Sequence, residues 1–314
     1  MHFQHTLGRS VSVSGFGLHS GQASTVTLSP APIDTGIVFS RQSHGQVETC
    51  QASIRNLRPM QLCTAIGSNG FQIQTTEHIL SALWGLGIDN AHIEITSEEV
   101  PVLDGSAAPF VQLILAAGMI PQGRPRTYLK ILKPLFVGNH HRSLSIVPAP
   151  FPKITYSISY GHHLIQHQSY EHDWATADFK REIAEARTFA FSHEVESLWA
   201  RGLGQGGSLE NTIVFSEDGV LNEDGLRFPD ECVRHKILDL IGDLSLLGLP
   251  VIGHIIADRS GHHQHTELVQ AILDNPDAWT LLGTQETHRQ ALADIPYNGN
   301  GRPHAVSLVA NSAL

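Results

Sequence analysis

The chain is short of cysteine, of charge and of long apolar runs, and each shortage narrows what it can be. Cys50, Cys63 and Cys232 are its three thiols, odd in number and without CxxC or zinc-knuckle spacing. A disulfide framework is therefore not expected, and a reducing compartment is. Charged residues make up only 16%, with a formal net charge of −10, the wrong sign for gripping a phosphate backbone. No nucleic-acid partner is expected, although a small anion held by a few local cations stays open. No stretch approaches the roughly 18 uncharged apolar residues of a membrane span. The opening MHFQHTLGRS has no apolar core of signal-peptide length. Together these predict a cytoplasmic protein that meets a membrane only through its substrate or surface. Its 314 residues suggest about two domains.

Histidine, by contrast, is abundant: there are 20, including His140–His141, His162–His163 and the trio His262, His263 and His265. A lone imidazole in this chain carries little information, and His19 in GLHSG reads as a turn residue.

The stretch around which the chain is organised is RFPDECVRHKILDLIGDLSLLG, Arg227 to Gly248. Asp230 is placed to cap a helix and Gly248 to end it. At about 100° per residue, Val233, Ile237, Leu240, Ile241, Leu244 and Leu247 share one broad face. His235, Asp239 and Asp243 share the other within about 80° of arc. An i, i+4 His–Asp pair can hold two coordination positions of one divalent metal. A solvated polar face is the competing reading of the same pattern.

Upstream, GLHSG, STVTLSPAP and GIVFSRQ read as short strands and turns. TTEHILSALWGLG is the first helix, capped by Thr75 or Thr76, with Gly85 and Gly87 marking its end. It sets Glu77 beside His78, which suits either simple capping or a metal ligand next to a carboxylate that works on water, as the Glu of HExxH does. NAHIEITS is an alternating strand, and a helix capped by Ser106 follows, ending at Gly118. PQGRPR, Pro121 to Arg126, reads as an interdomain linker. The order then repeats: strands, the Arg227–Gly248 helix, the strand PVIGHIIA, and a helix expected from about His265 to Leu273. Between them, helix Glu194–Ala200, the loop RGLGQGGS and strand Thr212–Phe215 form a βαβ-type insertion. That loop lacks the Lys–Ser/Thr of a P-loop and follows a helix, so it is not a nucleotide-phosphate cradle. His193–Glu194 is not an HExxH site, because position 197 is serine.

The stretches TTEHILSALWGLGIDN, VPVLDGSAAPF, EARTFAF, LNEDGLRFPDECVRHKILDLIGDL and SGH closely resemble the UDP-3-O-acyl-N-acetylglucosamine deacetylases, the zinc amidases that commit carbon to lipid A. The resemblance runs from the GLHSG turn to the helix after SGH, nearly the whole chain. It implies an α+β fold of two similar domains, 1–122 and 127–314. Each is a β-sheet with two helices, the helices are sandwiched between the sheets, and an insertion spans about 190–218. It implies zinc, with Fe2+ as an alternative, on His78, His235 and Asp239. It makes Glu77 the general base, His262 the second catalytic group and Asp243 the residue that orients His262. Thr188 and Lys236 become contacts to substrate or intermediate, and Phe189 and Phe191 walls of an acyl-chain passage that Leu198 and Trp199 extend. The implied reaction removes the N-acetyl group of a nucleotide-sugar lipid, and a monomer is expected. Tyr160–His163 stands where the family has a Phe-x-His-Pro run, so no role is carried over there. Cys63 matches a cysteine near the metal in relatives and is expected at most as an adventitious ligand. A non-catalytic histidine-rich metal binder would require neither Glu77 beside a ligand nor the remote His262, and a nucleotide-sugar binding module without chemistry would be expected to lack one of His78, His235 or Asp239, all of which are present.

Overall fold

The computed structural model describes residues 2–43, 45–68 and 70–283; positions 284–314 of the expected second domain lie outside the described residues. Two five-stranded sheets form with the same strand order. The first runs Val11–Phe16, Ala23–Pro30, Ala91–Ile95, Ile37–Ser43 and Gln46–Gln51. The second runs Leu135–Gly138, Ser143–Val147, His254–Asp258, Lys153–Ser159 and His167–Asp173. In each, the last strand in sequence sits at the centre, antiparallel to one neighbour and parallel to the other. Alternation decides which way the strands face. Ala91, Ile93 and Ile95 are buried, as are Ile255 and Ala257, while the residues between them face outward.

The helices are α1 (Glu77–Leu86), α2 (Ala108–Ala117), the short α3 (Phe179–Glu182), α4 (Ser192–Ala200), α5 (Glu231–Leu244) and α6 (His262–Asp274). α1 packs on α5 at the centre of the molecule. α2 covers α1 and the edge strand Val11–Phe16, and α6 covers α5 and the strands Leu135–Gly138 and Ser143–Val147. The architecture is thus the α+β sandwich of two similar halves with helices between the sheets. α1 and α5 touch backbone to backbone at Gly242, where any Cβ would overlap the carbonyl oxygen of Glu77.

On α5, Val233, Ile237, Leu240, Ile241 and Leu244 are buried as their spacing predicts, but so are His235, Asp239 and Asp243. The polar side therefore faces protein and not water. Asp230 stands at the cap position without capping, because its carboxylate pairs instead with Arg234 at 2.6 Å. The helix gives way at Ser245–Leu247 to a tighter turn that ends at Gly248 with φ 75°. Thr76 likewise precedes α1 without capping it, and its hydroxyl donates to the Thr64 carbonyl. Gly85 lies inside α1, where its missing side chain makes room for the Phe179 ring.

Two further expectations need correction. Pro121 to Arg126, read as a linker, falls but for its last residue within strand Met119–Pro125, which pairs antiparallel with Phe3–Leu7; in a two-stranded ribbon Pro121 and Pro125 need not donate to a neighbour on both sides. α6 begins at His262, not near His265. The insertion is βαβ as expected: Phe189–Phe191 and Ile213–Phe215 are parallel, with α4 between them. Its glycine loop reaches the other half of the chain, where Gln205 and Gly206 donate their N–H groups to the His19 and Leu18 carbonyls at 3.2 and 3.0 Å.

Candidate active site

The first turn of α1 and the polar side of α5 meet in a buried group. His78, His235 and Asp239 each bring one ligand atom within 4.8 Å of the others. His235 Nε2 is 3.3 Å and His78 Nε2 3.7 Å from Asp239 Oδ1, with the two rings edge to face. His235 Nδ1 lies 3.0 Å from the Ala186 carbonyl, which can only accept; the proton is therefore on Nδ1 and the Nε2 lone pair faces the group. Burial pushes the His78 imidazole down to about 3, and it lowers His235 as well, so both rings are neutral at physiological pH. Burial alone would raise Asp239, but His235 and Lys236 hold it well below the ordinary carboxylate range. Two neutral imidazoles and one ionised carboxylate, with no other claim on the facing atoms, fit a divalent cation of the Zn2+ or Fe2+ kind.

Lys236 follows His235 by one residue and so leaves the helix about 100° round from it. Its stem turns back instead, and Nζ donates to Asp239 Oδ2 at 2.6 Å. The second oxygen of Asp239 is thereby fixed. The same ammonium stands 5.9 Å from the centre of the Phe189 ring.

Glu77 is buried, and its Oε2 accepts the Thr64 N–H at 3.0 Å. Its Oε1 is 3.9 Å from His262 Nε2, which is also 4.0 Å from Asp239 Oδ2. Burial, with Asp243 and Asp239 adding to it and His262 opposing, pushes the Glu77 carboxyl up to about 8. His262 is shifted the other way from its burial: desolvation would lower it, but Asp243 raises it to about 9. The contact is a hydrogen bond from His262 Nδ1 to Asp243 Oδ2 of 2.7 Å.

Asp243 takes two more donors. Thr64 Oγ1 donates to Oδ1 at 2.5 Å, and His265 Nδ1 stands 2.8 Å from Oδ2. His265 in turn lies 3.1 Å from the Tyr156 hydroxyl, which donates to the Ser260 carbonyl at 2.7 Å. Sequence reasoning missed Thr64, His265 and Tyr156. His262 and His265 are one helical turn apart, a usable signal, but it is lost when the helix is started at His265.

The EARTFAF stretch supplies the next wall. Arg187, 2% exposed, donates to Glu231 from Nε and from its backbone N–H at 2.9 and 3.0 Å, and from Nη1 to Asp224 at 2.9 Å. This clamp holds Ala186 against His235 and ties the segment to the start of α5. Thr188 is fixed on both sides by its backbone, to Gly105 at 2.9 Å and Ile213 at 2.8 Å. Phe189 and Phe191 join Tyr160, Phe215 and His162 in one cluster of rings. Trp199 does not join it: the residue is 53% exposed and its indole N–H donates to the Gly204 carbonyl at 3.1 Å. His19, read as a turn residue, is buried, and neither ring nitrogen has a hydrogen-bond partner among the described residues. Cys63 is buried and its thiol is pushed far up by that burial, so it is held as a thiol and not a thiolate.

A sequence model of a family described as UDP-3-O-acyl N-acetylglycosamine deacetylase matches residues 4–274. The chain is 46% identical to a UDP-3-O-acyl-N-acetylglucosamine deacetylase of Syntrophotalea carbinolica, over 91% of this chain and 93% of that protein. It is 45% identical to the protein of the same description from Myxococcus xanthus, over 89% of each. It is 44% identical to that of Citrifermentans bemidjiense, over 90% of this chain and 92% of the relative.

Proposed function

Because the chain belongs to the UDP-3-O-acyl-N-acetylglucosamine deacetylase family, we propose that it hydrolyses the N-acetyl group of UDP-3-O-(3-hydroxyacyl)-N-acetylglucosamine. Water adds to the acetyl carbonyl, the C–N bond breaks, and acetate and the free amine leave; this is the committed step of lipid A biosynthesis. The observation that carries the reading is the facing pair Glu77 and His262, 3.9 Å apart beside the His78–His235–Asp239 group.

A divalent cation on His78, His235 and Asp239 would supply Lewis acidity and lower the pKa of water at the site to about 7. Glu77, one residue from a ligand, takes the proton of the attacking water once its carboxyl is ionised, and nearby positive charge favours that form. His262, kept cationic by Asp243, stabilises the oxyanion and donates to the departing nitrogen. Thr188 offers its hydroxyl to the same oxyanion. Lys236 neutralises the outer oxygen of Asp239 and bridges toward Phe189. Phe189 and Phe191 line the passage for the acyl chain.

In this reading the chain divides at 122–127, one half supplying Glu77 and His78 and the other His235, Asp239 and His262. A monomer holds every residue required. No described helix is long and apolar enough to cross a membrane, and three buried free thiols support a cytoplasmic setting. The test is acetate release from the acylated UDP-sugar by the Zn2+-loaded protein, lost on chelation and regained with Zn2+. Loaded protein that releases no acetate sinks the proposal.

A further inference from the structure

We infer that Glu99 is a positioning residue for the site proposed above: its buried carboxylate holds Thr75 in a left-handed turn, and that turn aims Glu77 and His78. Glu99 is 1% exposed, and its oxygens take three donors. Oε1 accepts the Thr75 hydroxyl and the His19 N–H, both at 2.8 Å, and Oε2 accepts the Ser20 N–H at 2.7 Å.

Thr75 has φ 57°, a conformation in which a β-branched side chain is crowded. Glycine would take it without strain, yet threonine is present, and its hydroxyl is spent on Glu99. The backbone on either side is pinned as well. Gln74 donates to the Glu98 carbonyl at 2.8 Å and accepts from Val100 at 3.1 Å. Thr76 donates from both N and Oγ1 to the Thr64 carbonyl at 3.1 Å. The next residue is Glu77, and the one after it His78. Thr64 itself bonds Glu77 and Asp243, so the direction the chain takes at Thr75 sets both members of the acid–base pair and one ligand.

The other two donors give Glu99 a second effect. They fix His19 and Ser20, in the turn whose carbonyls hold the glycine loop of the insertion. Loss of the carboxylate therefore disturbs the chemistry through Thr75 and the approach of substrate through the turn. The two can be separated, because only the first depends on the strained residue.

The experiment uses Glu99→Gln, Thr75→Val, which keeps the β-branched shape but removes the hydroxyl from Glu99 and from Cys63, and Glu99→Gln combined with Thr75→Gly. Co2+ affinity is read from its visible absorption, which needs no substrate and so tests this inference independently of the deacetylase reading. Glu99→Gln is expected to weaken Co2+ binding about tenfold or more, and Thr75→Val in the same direction, with the thermal transition still cooperative. The added glycine, free to adopt the turn, restores Co2+ affinity and, at saturating metal, kcat. It does not restore KM, which the His19–Ser20 turn sets. Unchanged Co2+ affinity in folded Glu99→Gln and Thr75→Val, or a double variant no better than Glu99→Gln, overturns the inference.

Discussion

His262 presents Nδ1 to Asp243 at 2.7 Å, which leaves Nε2 as the nitrogen that faces Glu77. Asp243 cannot swing away, since Thr64 and His265 hold it too. In its proposed role as an acid, His262 must be protonated, so the rate should fall as pH rises through its pKa. Asp243→Asn removes the charge that raises that pKa. The alkaline limb of the pH–rate profile should move downward toward the ordinary histidine value of about 6.5, with kcat reduced roughly 10²-fold. A profile with its alkaline limb unmoved would show that another group sets it.

The same pair predicts a pH-dependent stability in the metal-stripped protein. His262 is raised from 6.5 to about 9 on folding, so its contribution is fully present below pH 6.5 and is lost as pH rises through about 9. Glu77, raised from 4.5 to about 8, also binds its proton more tightly when folded, and the stability it lends disappears over that lower window. Below about pH 6.5 the lowered His78 and His235 oppose this trend, so denaturant midpoints should fall from pH 7 to pH 9, where those rings are neutral in both states. His262→Gln should flatten the upper part of the slope and leave the lower part, and equal slopes in both proteins would contradict this.

Glu77 and Asp239 should separate cleanly. Glu77→Gln keeps the three ligands, so bound metal stays at the wild-type level while turnover drops by about 10² or more. Asp239→Asn removes the only anionic ligand and also strands the Lys236 ammonium, so metal content should fall with activity. Elemental analysis beside the rate assay decides; equal metal loss in both variants means that Glu77 is a ligand.

Gly242 tests the contact between α1 and α5. Glycine to alanine inside a helix ordinarily gains about 1 kcal/mol. Here the new Cβ overlaps the Glu77 backbone, and overpacking of this kind costs about 1–3 kcal/mol or more. Gly242→Ala should therefore lower the denaturant midpoint and, by pushing Glu77 away, the turnover. A variant more stable than wild type would show that the helices separate freely.

How much of this was readable in the chain depends on distance along it. The apolar stripe of α5, the Glu77–His78 pair and the paired order of strands and helices are local patterns, and all are present. The repeat of that order in two halves also appears as two sheets of identical strand order. What the pattern could not show is what each polar group meets across the fold. Asp230 turned from its cap to Arg234, and Thr64 reached Asp243 from the other half of the chain. Arg187 meets Glu231, and Glu99 meets Thr75, with no periodicity to announce either. Pro121 to Arg126 has the composition of a linker, and only the pairing of Met119–Pro125 with Phe3–Leu7 makes most of it a strand.

The substrate remains the central claim, and the acyl chain is its sharpest discriminator. Phe189 and Phe191 lie in a ring cluster that Lys236 joins to the Asp239 side of the site. An acyl chain entering there would bury about 0.8 kcal/mol per methylene, realised in kcat/KM although the chain is remote from the amide. The measurement is kcat/KM for deacetylation of UDP-N-acetylglucosamine with and without a 3-O-hydroxyacyl group, across a series of chain lengths. The account predicts that removing the chain lowers kcat/KM by several orders of magnitude, and that the loss grows with each methylene taken away. Equal values with and without the chain would contradict it and leave an amidase indifferent to the lipid.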